Sequence, residues 1–193
     1  MGHYRRMTEA RLRLETRRLK LRPVQPRDAA PTAALVTPDI AANLSTWPSP
    51  LSAEQALARI REAAALEAAR SALNLAIVGR ADHALMGWIG LARCGPRDAR
   101  LGYWLGAPFR GRGLMKEAVA AVVPAGTEFL GVDEVVALVL EANRASIAVL
   151  ETVGFVPAGR EDYYFEVAAE RRPCLRYIWR ARRKGVPNPR QPD

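Results

Sequence analysis

The sequence predicts a mixed α/β domain, a central sheet flanked by helices, and three observations point there. Runs with apolar residues at every second position, such as Leu19-Lys20-Leu21, alternate with longer Ala- and Leu-rich runs of helical spacing. Glu134–Leu140 is an uninterrupted Val-rich run, as a strand covered on both faces would be. Between these, Leu101–Ala120 passes from an apolar strand end through a turn at Pro108 into a Gly-punctuated basic loop and then a helix. With 193 residues, 49% of them hydrophobic, the chain can bury one sizeable core and needs no second domain. The expected domain is 12–181, with flexible basic ends at 1–11 and 182–193.

Residues 1–11 read as disordered or loosely helical. Leu12, Leu14, Leu19, Leu21 and Val24 give two short strands around Thr16-Arg17-Arg18. Pro26 then opens a helix with Asp28 in its first turn, shortened or kinked by Pro31 and stopped near Val36 by Pro38. Asn43–Pro50 is a loop carrying Trp47. Ser52-Ala53-Glu54-Gln55 is a capping box with Leu51 before it, starting a helix to about Arg70 that buries Leu57, Ile60, Ala64 and Ala68, widened by Leu66. Leu73–Val78 and His83–Cys94 make a hairpin, and Gly87 and Gly90 inside the second strand ask for a bulge or for something packed closely on the sheet. Ala99–Leu105 is the next strand.

Beyond the basic loop, Leu114, Ala118, Val119, Val122 and Val123 form an apolar stripe running toward Leu130, with a kink expected at Pro124. After Glu134–Leu140, Asn143-Arg144-Ala145-Ser146 opens a helix with Ile147, Leu150 and Val153 on its buried face and Gly154 as its stop. Phe155–Pro157 and Asp162–Val167 read as short strands, Leu175–Ala181 as the last, and Arg182–Asp193 as disordered.

Charge and composition exclude several classes. The net charge is +9, but residues 1–27 and 180–193 together carry +11 and residues 28–179 about −2. A basic balance held by the termini argues against nucleic acid as the primary partner. Cys94 and Cys174 are too few for a disulfide scaffold or a zinc site and read as buried free thiols. The only histidines, His3 and His83, cannot assemble a metal site or a His-based triad, so no metal is expected. The charged N-terminus has no apolar stretch behind it, and no run reaches eighteen apolar residues, so no membrane partner and a cytoplasmic location are expected.

Arg110-Gly111-Arg112-Gly113 stands where strand becomes helix, a junction whose first-turn N–H groups have no intrahelical partner and attract anions. The mononucleotide string GxxxxGK followed by Ser or Thr is absent, and Lys116 occupies the third glycine of a dinucleotide fingerprint. A tight surface turn is the plain alternative to a ligand loop. Arg110, Gly111, Arg112, Gly113, Leu114 and Met115 resemble the (Q/R)xxGx(G/A) diphosphate loop of the GNAT N-acetyltransferase superfamily, with Met115 in place of the last Gly or Ala. Asn143, Ser146, Gly154 and Phe155 resemble the NxxSxxxxxxxGF segment of its RimJ/RimL branch, which acetylates protein N-termini and includes relatives acting on small amines. The resemblance covers about Leu19 to Ala181.

It implies a central mixed sheet that splays apart at the parallel pair formed by Tyr103–Leu105 and Val135–Leu140, leaving backbone groups for the pantetheine arm of acetyl-CoA. The implied cofactor contacts are the N–H groups from Gly111 to Met115, with Arg110 and Arg112 adding charge, and Leu105 N–H steadying the oxyanion. Asn143 is either an N-cap, worth about 1 kcal/mol, or a ligand contact. Ser146 is either a structural hydroxyl or lies near the thioester sulfur as cofactor contact and acid. For the base, Asp162 and Glu161 lead, with Glu166, Glu141 or water as alternatives. Tyr103, Tyr163, Tyr164, Trp47 and Trp88 are candidate groove liners or packing residues, and Glu117 a favourable first-turn charge.

The expected activity is acetyl transfer from acetyl-CoA to a primary amine, foremost a protein or peptide N-terminal α-amine. The alternatives are a small-molecule amine such as a polyamine or aminoglycoside, or a non-catalytic acyl-CoA-binding module. A monomer or homodimer is expected.

Overall fold

The fold was obtained as a computed structural model, and it describes residues 5–8 and 11–181. Its strands are β1 (Arg5–Thr8), β2 (Arg11–Glu15), β3 (Leu19–Pro23), β4 (Ala72–Gly79), β5 (Leu85–Arg93), β6 (Asp98–Leu105), β7 (Glu134–Leu140), β8 (Val156–Phe165) and β9 (Glu170–Arg180). Its helices are α1 (Ala29–Leu35), α2 (Pro38–Ala41), α3 (Ala53–Ala68), α4 (Leu114–Leu130) and α5 (Arg144–Val153).

The strands form one nine-stranded sheet in the order β1-β2-β3-β4-β5-β6-β7-β9-β8. Every neighbouring pair is antiparallel except β6 and β7, which run parallel. Period-2 alternation sends Leu73, Leu75, Ile77, Ile89 and Leu91 to the face covered by α4 and α5. Ala76, Val78, Trp88 and Trp104 point to the opposite face, under α1 and α3. Among the described residues, no helix is long and apolar enough to cross a membrane.

Several expectations shift. Arg5–Thr8, inside the stretch read as disordered or loosely helical, pairs antiparallel with Arg11–Leu14 and gives β2 a partner along its outer edge. The sheet therefore begins before residue 12; residues 182–193 lie outside the described residues. Pro38 opens α2 as well as ending the preceding segment, because a helix tolerates proline at its first position. The buried face of α3 is Ala56, Ile60, Ala63 and Glu67, while Ala68 is exposed and Leu57 and Ala64 half-buried. Helix α4 runs through Pro124 as a single element.

The two short strands expected at Phe155–Pro157 and Asp162–Val167 are one strand, β8, with a register shift between Pro157 and Arg160 around Gly159. The interior glycines of β5 answer to both expected causes. The ladder is irregular at Ile77/Val78, and a Cβ on Gly87 would stand 2.1 Å from the Trp104 carbonyl.

Candidate active site

The parallel pair is short. β6 and β7 register only at Asp98↔Glu134, Ala99↔Val135 and Arg100↔Val136, whereas β7 stays paired to β9 through Leu140↔Cys174. Past Arg100 the two strands part, and Leu101–Leu105 and Ala137–Leu140 line the two sides of a cleft of about 590 Å³. Gly106 donates its N–H to the Met86 carbonyl at 2.9 Å, continuing the β5–β6 ladder. Narrow and wide pairs alternate in such a ladder, so the N–H groups of Leu101, Tyr103 and Leu105 turn away from β5, toward the side that β7 has left. The Leu105 carbonyl on that side accepts from Arg110 Nε at 3.1 Å.

The loop at the mouth of this cleft needs its glycines. Gly111 and Gly113 have φ of 73° and 71°, a left-handed conformation that costs a side-chain-bearing residue about 1–2 kcal/mol. Gly113 caps α4, and the first bond into it is Glu117 N–H to the Gly113 carbonyl, so the N–H groups of Leu114, Met115 and Lys116 have no partner within the helix. Met115 fits the place of a small residue because its side chain is buried in the core with Leu114, leaving its backbone at the cleft. Arg110 is tied to Asp39 of α2 at 2.7 Å, which fixes the loop to the opposite lip. Asp39 is held below the ordinary carboxylate range, first by a hydrogen bond from Thr37 and then by Arg110.

Leu105, Arg110, Gly111, Gly113, Leu114, Met115, Asn143 and Ser146 all line this cleft. Arg112 does not; it is exposed, and its carbonyl accepts from Arg18 Nη1 at 2.8 Å. Lys116, which sequence reasoning used only to reject a dinucleotide fingerprint, lines the cleft one turn into α4. An elongated cleft, a cradle of N–H groups under a positive helix end and a nearby lysine together fit the diphosphate and arm of coenzyme A.

On the far wall, Asn143 caps α5 by accepting from Ser146 N–H at 3.1 Å. Ser146 in turn meets the Tyr103 hydroxyl at 2.7 Å, across the gap between the strands. Tyr103 is pushed up to about 12 by burial, against a smaller opposing effect of the Ser146 hydrogen bond. Its phenol is therefore protonated throughout the neutral range. From the sequence Tyr103 is a groove liner or a packing residue, and nothing local signals this contact, which joins residues 43 apart.

On the opposite face of the sheet lies a second, smaller trough of about 310 Å³. Its floor is a row of paired residues, Asn74↔Gly90↔Gly102. A Cβ on Gly90 would stand 2.6 Å from Asn74 Oδ1, so the missing side chain makes room for Asn74, while Gly102 faces open space. One wall is aromatic: Trp47 stands edge-on to Trp88 at 5.1 Å and to Trp104 at 5.4 Å. Arg100 and Tyr163 form the other wall, with the guanidinium 4.7 Å over the ring. Leu101–Trp104 and Leu138 line both the trough and the cleft, so the two meet at the parted strands. Cys174 is buried as expected; Cys94 is exposed and lines the trough, because β5 ends just before it.

The carboxylates fall elsewhere. Glu161 and Asp162 are exposed on the edge strand β8 and line neither cavity. Glu161 lies 3.7 Å from Arg176, and Glu141 pairs with Arg160 at 3.3 Å. Tyr164 is exposed, while Tyr163 turns inward. Among the described residues, no Asp, Glu or His lines either cavity, and no group of three or more His, Cys, Asp or Glu is placed to hold a metal ion.

Two cavities that meet at the parted strands, one of them edged by unpartnered N–H groups suited to a diphosphate, form an arrangement suited to group transfer. Residues 18–156 match the family model described as the acetyltransferase (GNAT) domain, and the chain belongs to the GNAT acetyltransferase family. It is an acetyltransferase that takes its acetyl group from acetyl-CoA. No curated protein matches the sequence. The fold is similar to that of a ribosomal-protein-S5-alanine acetyltransferase from Vibrio fischeri, at TM-score 0.75 and 19% identity over 87% of this chain and 96% of that one. It is also similar to RimJ from Mycobacterium smegmatis, solved with a CoA disulfide, at TM-score 0.72 and 22% identity over 84% and 82%. The microcin C7 self-immunity acetyltransferase MccE, solved with acetyl-CoA and AMP, gives TM-score 0.76 and 16% identity over 86% and 94%.

Proposed function

We propose that this enzyme acetylates the N-terminal α-amine of a protein or peptide. The observation that carries the reading is the trough over Gly90 and Gly102. It runs across extended strands, suits an extended chain, and among the described residues offers no carboxylate to a polyamine or aminoglycoside. The likeness to structures named as ribosomal-protein acetyltransferases supports it. A small-molecule amine is the second reading, favoured by the trough's volume of about 310 Å³.

Acetyl-CoA supplies an activated thioester carbonyl to the parted strands. The N–H groups from Gly111 to Lys116 and the Lys116 ammonium hold its pyrophosphate. Arg110 acts indirectly, by fixing the loop to Asp39. The Leu105 N–H faces the carbonyl oxygen as it gains negative charge. Asn143 sets the first turn of α5, and so the position of Ser146. The Ser146 hydroxyl, with the Tyr103 phenol against it, donates a hydrogen bond to the departing sulfur. With Glu161 and Asp162 outside both cavities, water in the trough accepts the proton that the attacking ammonium must lose.

An acetyl-CoA assay against peptides differing in their first residue, run beside spermidine and an aminoglycoside, tests the reading. Peptide turnover above that of both small amines supports it; spermidine or aminoglycoside turnover exceeding every peptide's would overturn it.

A further inference from the structure

Three alternate residues of β6 share the trough face: Arg100, Gly102 and Trp104. Gly102 in the middle carries no side chain and faces open space. On either side of it sits a buried donor without an acceptor, Arg100 Nε and Trp104 Nε1. Their neighbours show that the arrangement is uneven: Trp88 Nε1, on the same face, donates to Thr32 Oγ1 at 2.9 Å. An enclosed N–H with no acceptor is costly, and more so on a charged group.

The charge is unmatched too. The only side-chain hydrogen bond that Arg100 makes among the described residues goes to the Tyr163 hydroxyl at 3.0 Å, and it forms no ion pair there. Glu161 on β8 leans to Arg176 instead. The trough's other guanidinium, Arg93, is occupied by the carbonyls of Pro96 and Leu130. A half-buried arginine opposite an aromatic wall, with no carboxylate beside it, is arranged to receive an anion from outside the chain.

We infer that the acceptor is an acidic one: an amine carrying a carboxylate about four extended residues or fewer away, which for a peptide means Asp or Glu within its first four positions. The inference rests on the N-terminal reading for the word peptide, and on Arg100 for the word acidic. Arg100 and Trp104 are four residues apart on an extended strand, about 13 Å. The trough meets the donor cleft along Leu101–Trp104, and Arg100 lines the trough alone, so the amine enters where the two cavities join and the carboxylate lies at the Arg100 end. The Trp104 N–H takes a backbone carbonyl of the acceptor on the way. Gly102 leaves the passage between them open.

The test compares kcat/KM for peptides of one first residue bearing Glu, Gln or Lys at positions two to four, with wild type, Arg100→Met and Gly102→Val. A parallel pair, aminooctanoate and the matched octanediamine, removes the peptide backbone from the question. The Glu peptides should exceed the Lys peptides by about tenfold or more, mainly through KM. Arg100→Met should bring that ratio to within about twofold. Gly102→Val, whose Cβ has no protein atom within 4 Å, should raise acceptor KM. A thermal melt reports that both variants are folded, and CoA binding reports an intact donor site in Arg100→Met, since Arg100 lines the trough and not the cleft.

Peptide turnover with no preference for acid overturns the inference and leaves the N-terminal reading standing. No peptide turnover, with Arg100-dependent preference for aminooctanoate over the diamine, overturns the N-terminal reading and supports the acidic acceptor. No peptide turnover, together with preference for the diamine, overturns both.

Discussion

Glu117, on the first turn of α4, accepts hydrogen bonds from Arg18 twice, from its backbone N–H at 2.8 Å and from Nε at 2.7 Å. Thr16 donates to the same carboxylate at 2.5 Å, and Arg18 Nη1 reaches on to the Arg112 carbonyl at 2.8 Å. Glu117 is thus far more than a favourable charge near a helix end. It ties the turn between β2 and β3 to the glycine loop at the mouth of the cleft.

Loosening this tie should act on donor binding. Arg18→Ala and Glu117→Gln should each raise KM for acetyl-CoA by about tenfold, the loss of a charged hydrogen bond, while kcat at saturating donor changes less. A KM that stays at the wild-type value would show that the loop holds its shape without the clamp.

The same carboxylate carries a pH signature. Burial opposes its ionisation, but the hydrogen bonds from Thr16 and Arg18 outweigh that and hold its pKa below the ordinary glutamate value. A depressed carboxylate contributes stability that is present above the unfolded pKa, about 4.3, and is lost as pH falls through the folded value. The melting-temperature gap between wild type and Glu117→Gln should be level above about pH 5 and close in more acid buffer.

Gly113 has φ of 71° and faces Arg18 Nη2. Gly113→Val should impose about 1–2 kcal/mol of backbone strain and displace the N–H groups behind it. Calorimetry should find CoA binding weakened by at least about tenfold. Unchanged affinity would remove the loop from the donor site.

Ser146→Ala should lower kcat by about tenfold to a hundredfold at saturating substrates, through the lost donor to the sulfur. Turnover at the wild-type rate would end its role as donor. Tyr103→Phe tests the partner. Since burial lifts the phenol to about 12, the pH–rate profile should carry no Tyr103 break below about pH 11. A group whose pKa rises on folding loses stability for the fold as pH climbs, here between about 10 and 12. Tyr103→Phe should remove that alkaline loss in a stability titration.

Cys94 and Cys174 should separate by labelling. A bulky maleimide should modify Cys94 in the native protein and leave Cys174 until unfolding. Partial burial raises the Cys94 thiol, so the labelling rate should still be climbing above pH 8.5, the ordinary thiol value. Modification should block acceptor turnover and spare CoA binding, because Cys94 lines the trough and not the cleft. Loss of CoA binding on labelling would contradict the two-cavity arrangement.

The chain's own local order determined the parts that depend on neighbours a few residues apart. Ser52 and Gln55 form the capping box read from their spacing, and Asn143 caps α5 through Ser146 N–H in the same way. The glycines at 111 and 113 mark a left-handed turn at a strand-to-helix junction, and the Val-rich run at 134–140 is a strand. Such signals come from backbone preference and side-chain periodicity within about one turn or a few residues.

Only the tertiary structure decided which distant groups meet. Register turned the N–H groups of the odd residues of β6 toward the gap and sorted its side chains by face, placing Tyr103 on Ser146 and leaving Arg100 and Trp104 beside the bare floor at Gly102. The topology put β8 at the sheet edge, outside β9, so Glu161 and Asp162 stand clear of both cavities. Arg18 reaches Glu117 across 99 residues for the same reason. Strand order and register arise from burying two opposite faces at once, a condition on the whole chain that no short window of sequence contains.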